Sequence, residues 1–163
     1  MRTSRAALAL ITRLDASKQT EFLTQWSDSW LAYSLIGGHV EPGESFRQCC
    51  QREISEELEC DTRAFKLQRS TLKSLRFQEF SKAAGVDTDY HWEIFMATPS
   101  KELLARLPAT CQWVYASEVF AEKTTAGQPI AAQVRRVLTA LDIIPNHPPA
   151  NEEVISLLRL DHA

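Results

Sequence analysis

The chain has 163 residues, 44% of them hydrophobic and 24% charged, with a formal net charge of -3. That is the composition of an ordinary globular protein with enough chain to bury a core of its own. The charge balance gives no general electrostatic pull toward nucleic acid, and no apolar run approaches the roughly 20 residues that span a bilayer, so nucleic acid is an unlikely partner and no membrane is expected.

Arg2 and Arg5 precede the apolar run Ala6 to Ile11. Arg13 follows soon after and no small-residue cleavage site stands out, so residues 5–13 read as a first core strand rather than an export signal. Residues 15–28 are polar and read as a loop. Trp30 to Ile36 is a second strand, stopped by Gly37 and Gly38. A helix is expected over 45–58, with Pro42 and Gly43 just ahead of it. Phe65 to Arg69, Leu72 to Phe80 and Tyr90 to Thr98 read as strands, and Ser81 to Asp89 as the hairpin loop between the last two. Lys101 to Arg106 is a short helix and Gln112 to Tyr115 a short strand.

A second long helix is expected from Pro129 to Asp142, where Ile130, Val134, Val137, Leu138 and Leu141 form one stripe. Residues 145–163 then read as a Pro-containing linker and a short helix capped by Asn151, with Glu152 and Glu153 in its first turn. Its apolar Val154, Ile155, Leu157 and Leu158 would dock on their own domain, residues 1–144, or on a second copy to form a homodimer. The four cysteines (Cys49, Cys50, Cys60 and Cys111) form no C-x-x-C pair. They read as reduced, buried thiols of a cytoplasmic protein. Strands flanked by two long helices give an α/β fold of the α+β type, a mixed sheet sandwiched between helices.

The informative stretch is Gly38 to Cys60, GHVEPGESFRQCCQREISEELEC, with six glutamates and no aspartate. At roughly 100° per residue, Phe46, Cys49, Cys50, Ile54 and Leu58 share an apolar arc. Glu53 and Glu57 fall inside that arc and Glu56 at its edge. Two glutamates at i, i+4 repel each other, and placing them inward costs more unless a cation compensates. The helix carries no lysine, and Arg47 and Arg52 are expected to point elsewhere or to its edge. A divalent metal is then the natural compensator, held by carboxylates at i, i+3 and i+4 that converge on one point. Hard oxygen ligands suit Mg²⁺ or Mn²⁺, and Mg²⁺ completes its shell with water and phosphate oxygens, which points to phosphoryl chemistry.

These residues resemble the Nudix box, G-x5-E-x7-R-E-U-x-E-E-x-G-U, where U is apolar. Gly38, Glu44, Arg52, Glu53, Ile54, Glu56, Glu57 and Cys60 stand at its fixed positions. Trp113-Val114 followed by Glu118 resembles a strand found late in such domains, so the resemblance covers residues 4–144 and implies the family's αβα sandwich. It also implies roles. Glu53, Glu56 and Glu57 would hold the metal with the carbonyl of Gly38; Glu44 would bind it through water or hold Arg52; Arg52 would orient the glutamates. His39 would touch a phosphate. The implied reaction is in-line attack by metal-activated water on a phosphorus of a nucleoside-diphosphate-linked substrate, a pyrophosphohydrolase. The runner-up is a non-catalytic Nudix domain that binds a nucleotide as a regulator.

Two departures stand out. Glu59 occupies the glycine position that ends the helix left-handed in the family, at a cost of about 1 kcal/mol or more. Leu35-Ile36-Gly37-Gly38 replaces the frequent Leu-Pro-Gly-Gly. The proline and tyrosine that mark some family substrates downstream of the box are missing, with Phe77 near the tyrosine position. A further glutamate beyond the box is sought among Glu79, Glu93, Glu102, Glu118 and Glu122. Trp26, Trp30, Tyr33, Phe77 and Trp92 are candidates to stack on a base.

Overall fold

The structure, a computed structural model, describes residues 1–146; the expected tail helix lies outside them. Those residues fall into two compact units: Met1–Leu10 with Ile36–Pro108, and Ile11–Leu35 with the chain from Ala109 onward.

The first unit is built on a mixed five-stranded sheet. Strand β1 (Arg2–Leu10) pairs in parallel with β8 (Val86–Pro99), placing Ala7 opposite Glu93. On its other side β1 pairs antiparallel with β5 (Ile36–His39), Ala7 against Gly38 and Ala6 against His39. Strands β6 (Phe65–Leu67) and β7 (Lys73–Ser81) pair antiparallel with β8. The helix α1 (Phe46–Glu57) packs on β1 and β5. Ser45 caps it: its side chain accepts from Gln48 N–H, and the Gln48 side chain accepts from Ser45 N–H in return. Cys49, Cys50, Ile54 and Leu58 are buried, as the apolar arc requires. A short helix α2 (Lys101–Leu104) follows β8.

The second unit holds an antiparallel four-stranded sheet. Its centre is β3 (Thr20–Ser27), which pairs with β2 (Thr12–Leu14), β4 (Ala32–Ser34) and β9 (Cys111–Tyr115). Helices α3 (Ala116–Ala121) and α4 (Ala132–Ala140) complete it, with Val134, Val137 and Leu138 fully buried.

Strand β3 corrects the expected loop over 15–28. Its polar residues are inside because each finds a partner remote in sequence or across the ladder. Glu21 accepts from Arg13 Nε at 3.0 Å, Thr24 donates to the Gln112 carbonyl at 2.7 Å, and Gln25 donates to the Thr110 hydroxyl at 3.0 Å. A polar residue so satisfied loses little on burial. Other differences are smaller. The expected strand over 5–13 breaks at Ile11, and the one over Trp30–Ile36 breaks at Leu35. The β7–β8 loop is tighter than expected, since Ser81 already pairs with Val86. Helix α4 is shorter at both ends, and α3 was not expected.

Candidate active site

Every residue singled out in the box lies in the first unit, on β5, on α1, in the loop that joins them or in the turn that follows α1. The turn over 41–44 closes with Glu44 N–H donating to the Glu41 carbonyl at 3.0 Å. It brings Glu44 beneath Arg52. The guanidinium of Arg52 donates twice to Glu44, from Nε at 2.8 Å and Nη2 at 3.0 Å. It also donates to Glu53 at 2.9 Å, to Glu56 at 3.3 Å and to the His39 carbonyl at 3.1 Å. Arg52 is therefore the hub of the glutamate cluster, which corrects only the reading from helix geometry that it points elsewhere or to the helix edge. Arg47 does point elsewhere and ties α1 to the carbonyls of Leu67 and Gln68.

The electrostatics follow. The two bonds from Arg52 hold the Glu44 carboxyl down to about 2, and Glu44 in turn pushes Arg52 further above its ordinary range. Glu57 is exposed as a residue, not inside the apolar arc. Its carboxyl is nonetheless raised, by partial burial and by the charges of Glu53 and Glu56. Glu53 is the tucked member, with its side chain only 13% exposed against 60% for Glu56.

The glycine pair explains how Glu53 is accommodated. A Cβ on Gly38 would stand 2.3 Å from Glu53 Oε1, so only glycine leaves the carboxylate room against the strand. A Cβ on Gly37 would stand 2.2 Å from the Ala7 carbonyl oxygen on the neighbouring strand. At the other end of the helix Glu59 adopts φ 51°, the left-handed conformation expected of the missing glycine. Cys60 N–H donates to the Ser55 carbonyl at 3.0 Å and Glu59 N–H to that of Glu56 at 3.4 Å, the two bonds of a Schellman cap.

Among the described residues, no three His, Cys, Asp or Glu side chains gather closely enough to hold an ion as they stand. Convergence at i, i+3 and i+4 is not what this arrangement presents, because Arg52 draws Glu53 and Glu56 to itself. The donor set still fits a hard divalent cation. It is all oxygen, it collects like charges, and glycine keeps the backbone open beside Glu53.

His39 is exposed, with Nδ1 3.4 Å from the Ser4 hydroxyl. Of the further glutamates, Glu93 accepts from the Ser74 hydroxyl at 2.6 Å and lies 2.8 Å from His91 Nε2. Glu118 caps α3 and Thr125, and Glu122 pairs with Arg135. Glu118 and Glu122 belong to the second unit. Of the candidate base-stacking aromatics, Trp92 is a core residue and Trp26 packs edge-on against Tyr33 at 5.2 Å. Phe77 stacks on Tyr90 at 5.0 Å, and Trp30 is exposed in a turn. Sequence reasoning gave Cys49 only a packing role. Its thiol, pushed up to about 11 by burial, reaches the Gly38 carbonyl at 3.3 Å.

The NUDIX domain family model matches residues 3–137. The chain belongs to the Nudix family. It is a hydrolase of the kind that acts on phosphoanhydrides. Comparison with curated protein sequences gives no match. Among solved structures, the Nudix chain resembles a C. elegans Ap4A hydrolase at 19% identity, covering 96% of this chain and 94% of that one with a TM-score of 0.52. It resembles the E. coli ORF135 protein at 23% identity, covering 93% and 96% with a TM-score of 0.52. The Shewanella oneidensis NrtR protein, solved with a 27mer DNA, is 16% identical over 85% of this chain and 63% of that one, with a TM-score of 0.52. Identities this low establish the shared mixed α and β fold. No helix among the described residues is long and apolar enough to cross a membrane.

Proposed function

We propose that this Nudix hydrolase cleaves a phosphoanhydride bond in a nucleoside-diphosphate-linked substrate and does so with Mg²⁺ or Mn²⁺. The observation that carries the reading is the lodging of Glu53 against Gly38, with Glu44 and Glu56 gathered on the same arginine. Glu53, Glu56, Glu57 and the Gly38 carbonyl would hold the metal, and Glu44 would assist. A bound divalent ion supplies an acidified water and neutralises charge that develops on the phosphate oxygens. The chain does the rest. Arg52 fixes the carboxylates by charge-assisted hydrogen bonds. A glutamate of the box, or one from a later loop, would take the proton of the attacking water. His39, at the exposed end of β5, contacts a substrate phosphate.

The test is a panel of nucleoside triphosphates, dinucleotides and nucleotide sugars, read as released phosphate or pyrophosphate. At least one should be cleaved with Mg²⁺ or Mn²⁺ and spared in excess chelator. Turnover that survives the chelator would remove the metal from the reaction.

A further inference from the structure

Phe46 of α1 packs on His91 with ring centroids 4.6 Å apart and takes the Arg5 guanidinium over its own ring, so α1 covers the sheet face to which Arg5 and His91 point. Ser4 and Ala6 alternate with Arg5 along β1 and point the other way. Their partners share that second face: Tyr90 lies beside Ser4, and Trp92 and His39 lie on either side of Ala6. Phe77 of β7 stands opposite Tyr90.

Phe77 and Tyr90 are half-buried and stack at 5.0 Å with 15° between their planes, while Trp92 meets them edge-on at 4.8 and 6.3 Å. Cross-strand aromatic pairs strengthen a sheet, but that gives no role to their polar tips. The Tyr90 hydroxyl and the Trp92 Nε1–H make no hydrogen bond among the described residues. Ser55 Oγ is the only fully buried side-chain polar atom without a partner among them, so both tips reach open space. Small Ser4 and Ala6 form a floor between this aromatic wall and the exposed His39. Strands about 4.8 Å apart put His39 roughly 10 Å from Trp92, which is the length of a nucleoside monophosphate.

We propose that the Phe77–Tyr90 stack is the base subsite of this hydrolase and takes a purine, with the phosphate end of the nucleotide toward His39. Two rings side by side offer more stacking area than a one-ring base covers, and the tips of Tyr90 and Trp92 meet the edge of the base. The inference rests on the nucleotide reading of the box.

The probes are AMP, GMP, CMP, UMP and ribose phosphate, titrated into the full chain with Mg²⁺ and followed by calorimetry. Wild type is compared with Phe77→Ala, with Phe77→Leu, which keeps bulk if alanine disturbs the fold, and with Phe80→Ala. Phe80 is exposed on the same strand but points to the α1 side of the sheet. Wild type should bind AMP or GMP more tightly than CMP, UMP or ribose phosphate. Both Phe77 variants should bind that purine nucleotide about tenfold more weakly, because its base loses an aromatic partner. Their affinity for ribose phosphate should not change, and Phe80→Ala should match wild type throughout. The proposal is overturned by equal affinity for purine and pyrimidine nucleotides, by wild-type purine affinity in Phe77→Leu, or by an equal loss in Phe80→Ala. Metal-dependent turnover of the substrate panel with no binding of any monophosphate removes the base subsite and leaves the hydrolase reading. Purine binding that behaves as expected without any turnover does the reverse.

Discussion

At the scale of single residues, one guanidinium sets the charge state of the site. Arg52 satisfies Glu44, Glu53 and Glu56, whereas the Glu57 carboxyl is raised by partial burial and by the charges of Glu53 and Glu56 beside it. Glu57→Gln removes a repelling charge at nearly constant shape. In chelator the variant should melt at or above the wild-type temperature, and it should lose most of the Mg²⁺- or Mn²⁺-induced rise, because binding to the folded state alone produces that rise. An unchanged metal-induced shift would mark these carboxylates as a solvated charge run. A second pair lies in the other unit, where the Tyr115 hydroxyl donates to Asp15 at 2.7 Å. This bond holds the Asp15 carboxyl below its ordinary range and pushes Tyr115 up to about 12. A depressed carboxylate stabilises the fold above its unfolded value and stops doing so as pH falls through the folded one; a raised phenol stabilises below its unfolded value and stops as pH rises through the folded one. Tyr115→Phe should therefore melt below wild type at neutral pH, and the gap should close as acid protonates Asp15. A gap that stays constant into acid would assign the loss to packing.

At the scale of elements, β5 and α1 form the site, and each carries an unusual backbone: the glycine pair within β5 and the left-handed Glu59 just past α1. Glu59 in the left-handed region closes α1 with both Schellman bonds. Glu59→Gly should stabilise the fold by about 1 kcal/mol, measured by denaturant unfolding, since glycine meets no penalty there. A clear destabilisation would mean that the cap has adapted to glutamate. The two glycines of β5 make opposite demands. A Cβ on Gly37 meets the backbone oxygen of Ala7, which cannot move without breaking the β1–β5 ladder. A Cβ on Gly38 meets only the end of the Glu53 side chain. Gly37→Ala should cost more than about 3 kcal/mol, in the range of substitutions that force strain on a core backbone. Gly38→Ala should cost less than half as much and should instead abolish the metal-induced rise in melting temperature. The reverse ranking would show that Glu53, not the ladder, is the rigid partner.

At the scale of the whole chain, the sheet that carries the box cannot be assembled locally. Strand β1 pairs with β8 at a register separation of Arg2 with Thr88, and β8 also carries β6 and β7. The box lies between these strands in sequence, so α1 has no complete sheet to pack on until β8 is made. Non-local pairing of this kind requires loop closure before any contact rewards it. A fragment of residues 1–85 should show no cooperative melting and no Mn²⁺-induced stabilisation by calorimetry. A fragment that folds and responds to Mn²⁺ would show the box to be an autonomous unit.

The sequence alone determined α1, its start near Ser45 and its buried apolar arc, because a helix and its ends are written in residues near one another. It determined the family for the same reason, since the box is a local pattern. It also anticipated the left-handed backbone at Glu59, which depends only on where the helix must end. Only the tertiary structure decided how the glutamates are shared. The direction of Arg52 depends on Glu44 and the His39 carbonyl, which the 41–44 turn carries to it. Burial of Glu21, Thr24 and Gln25 in β3 depends on partners in β2 and around β9, which no local reading of polarity supplies. The contact of Cys49 with Gly38 was invisible for the same physical reason: a thiol reads as packing until the fold sets a carbonyl beside it.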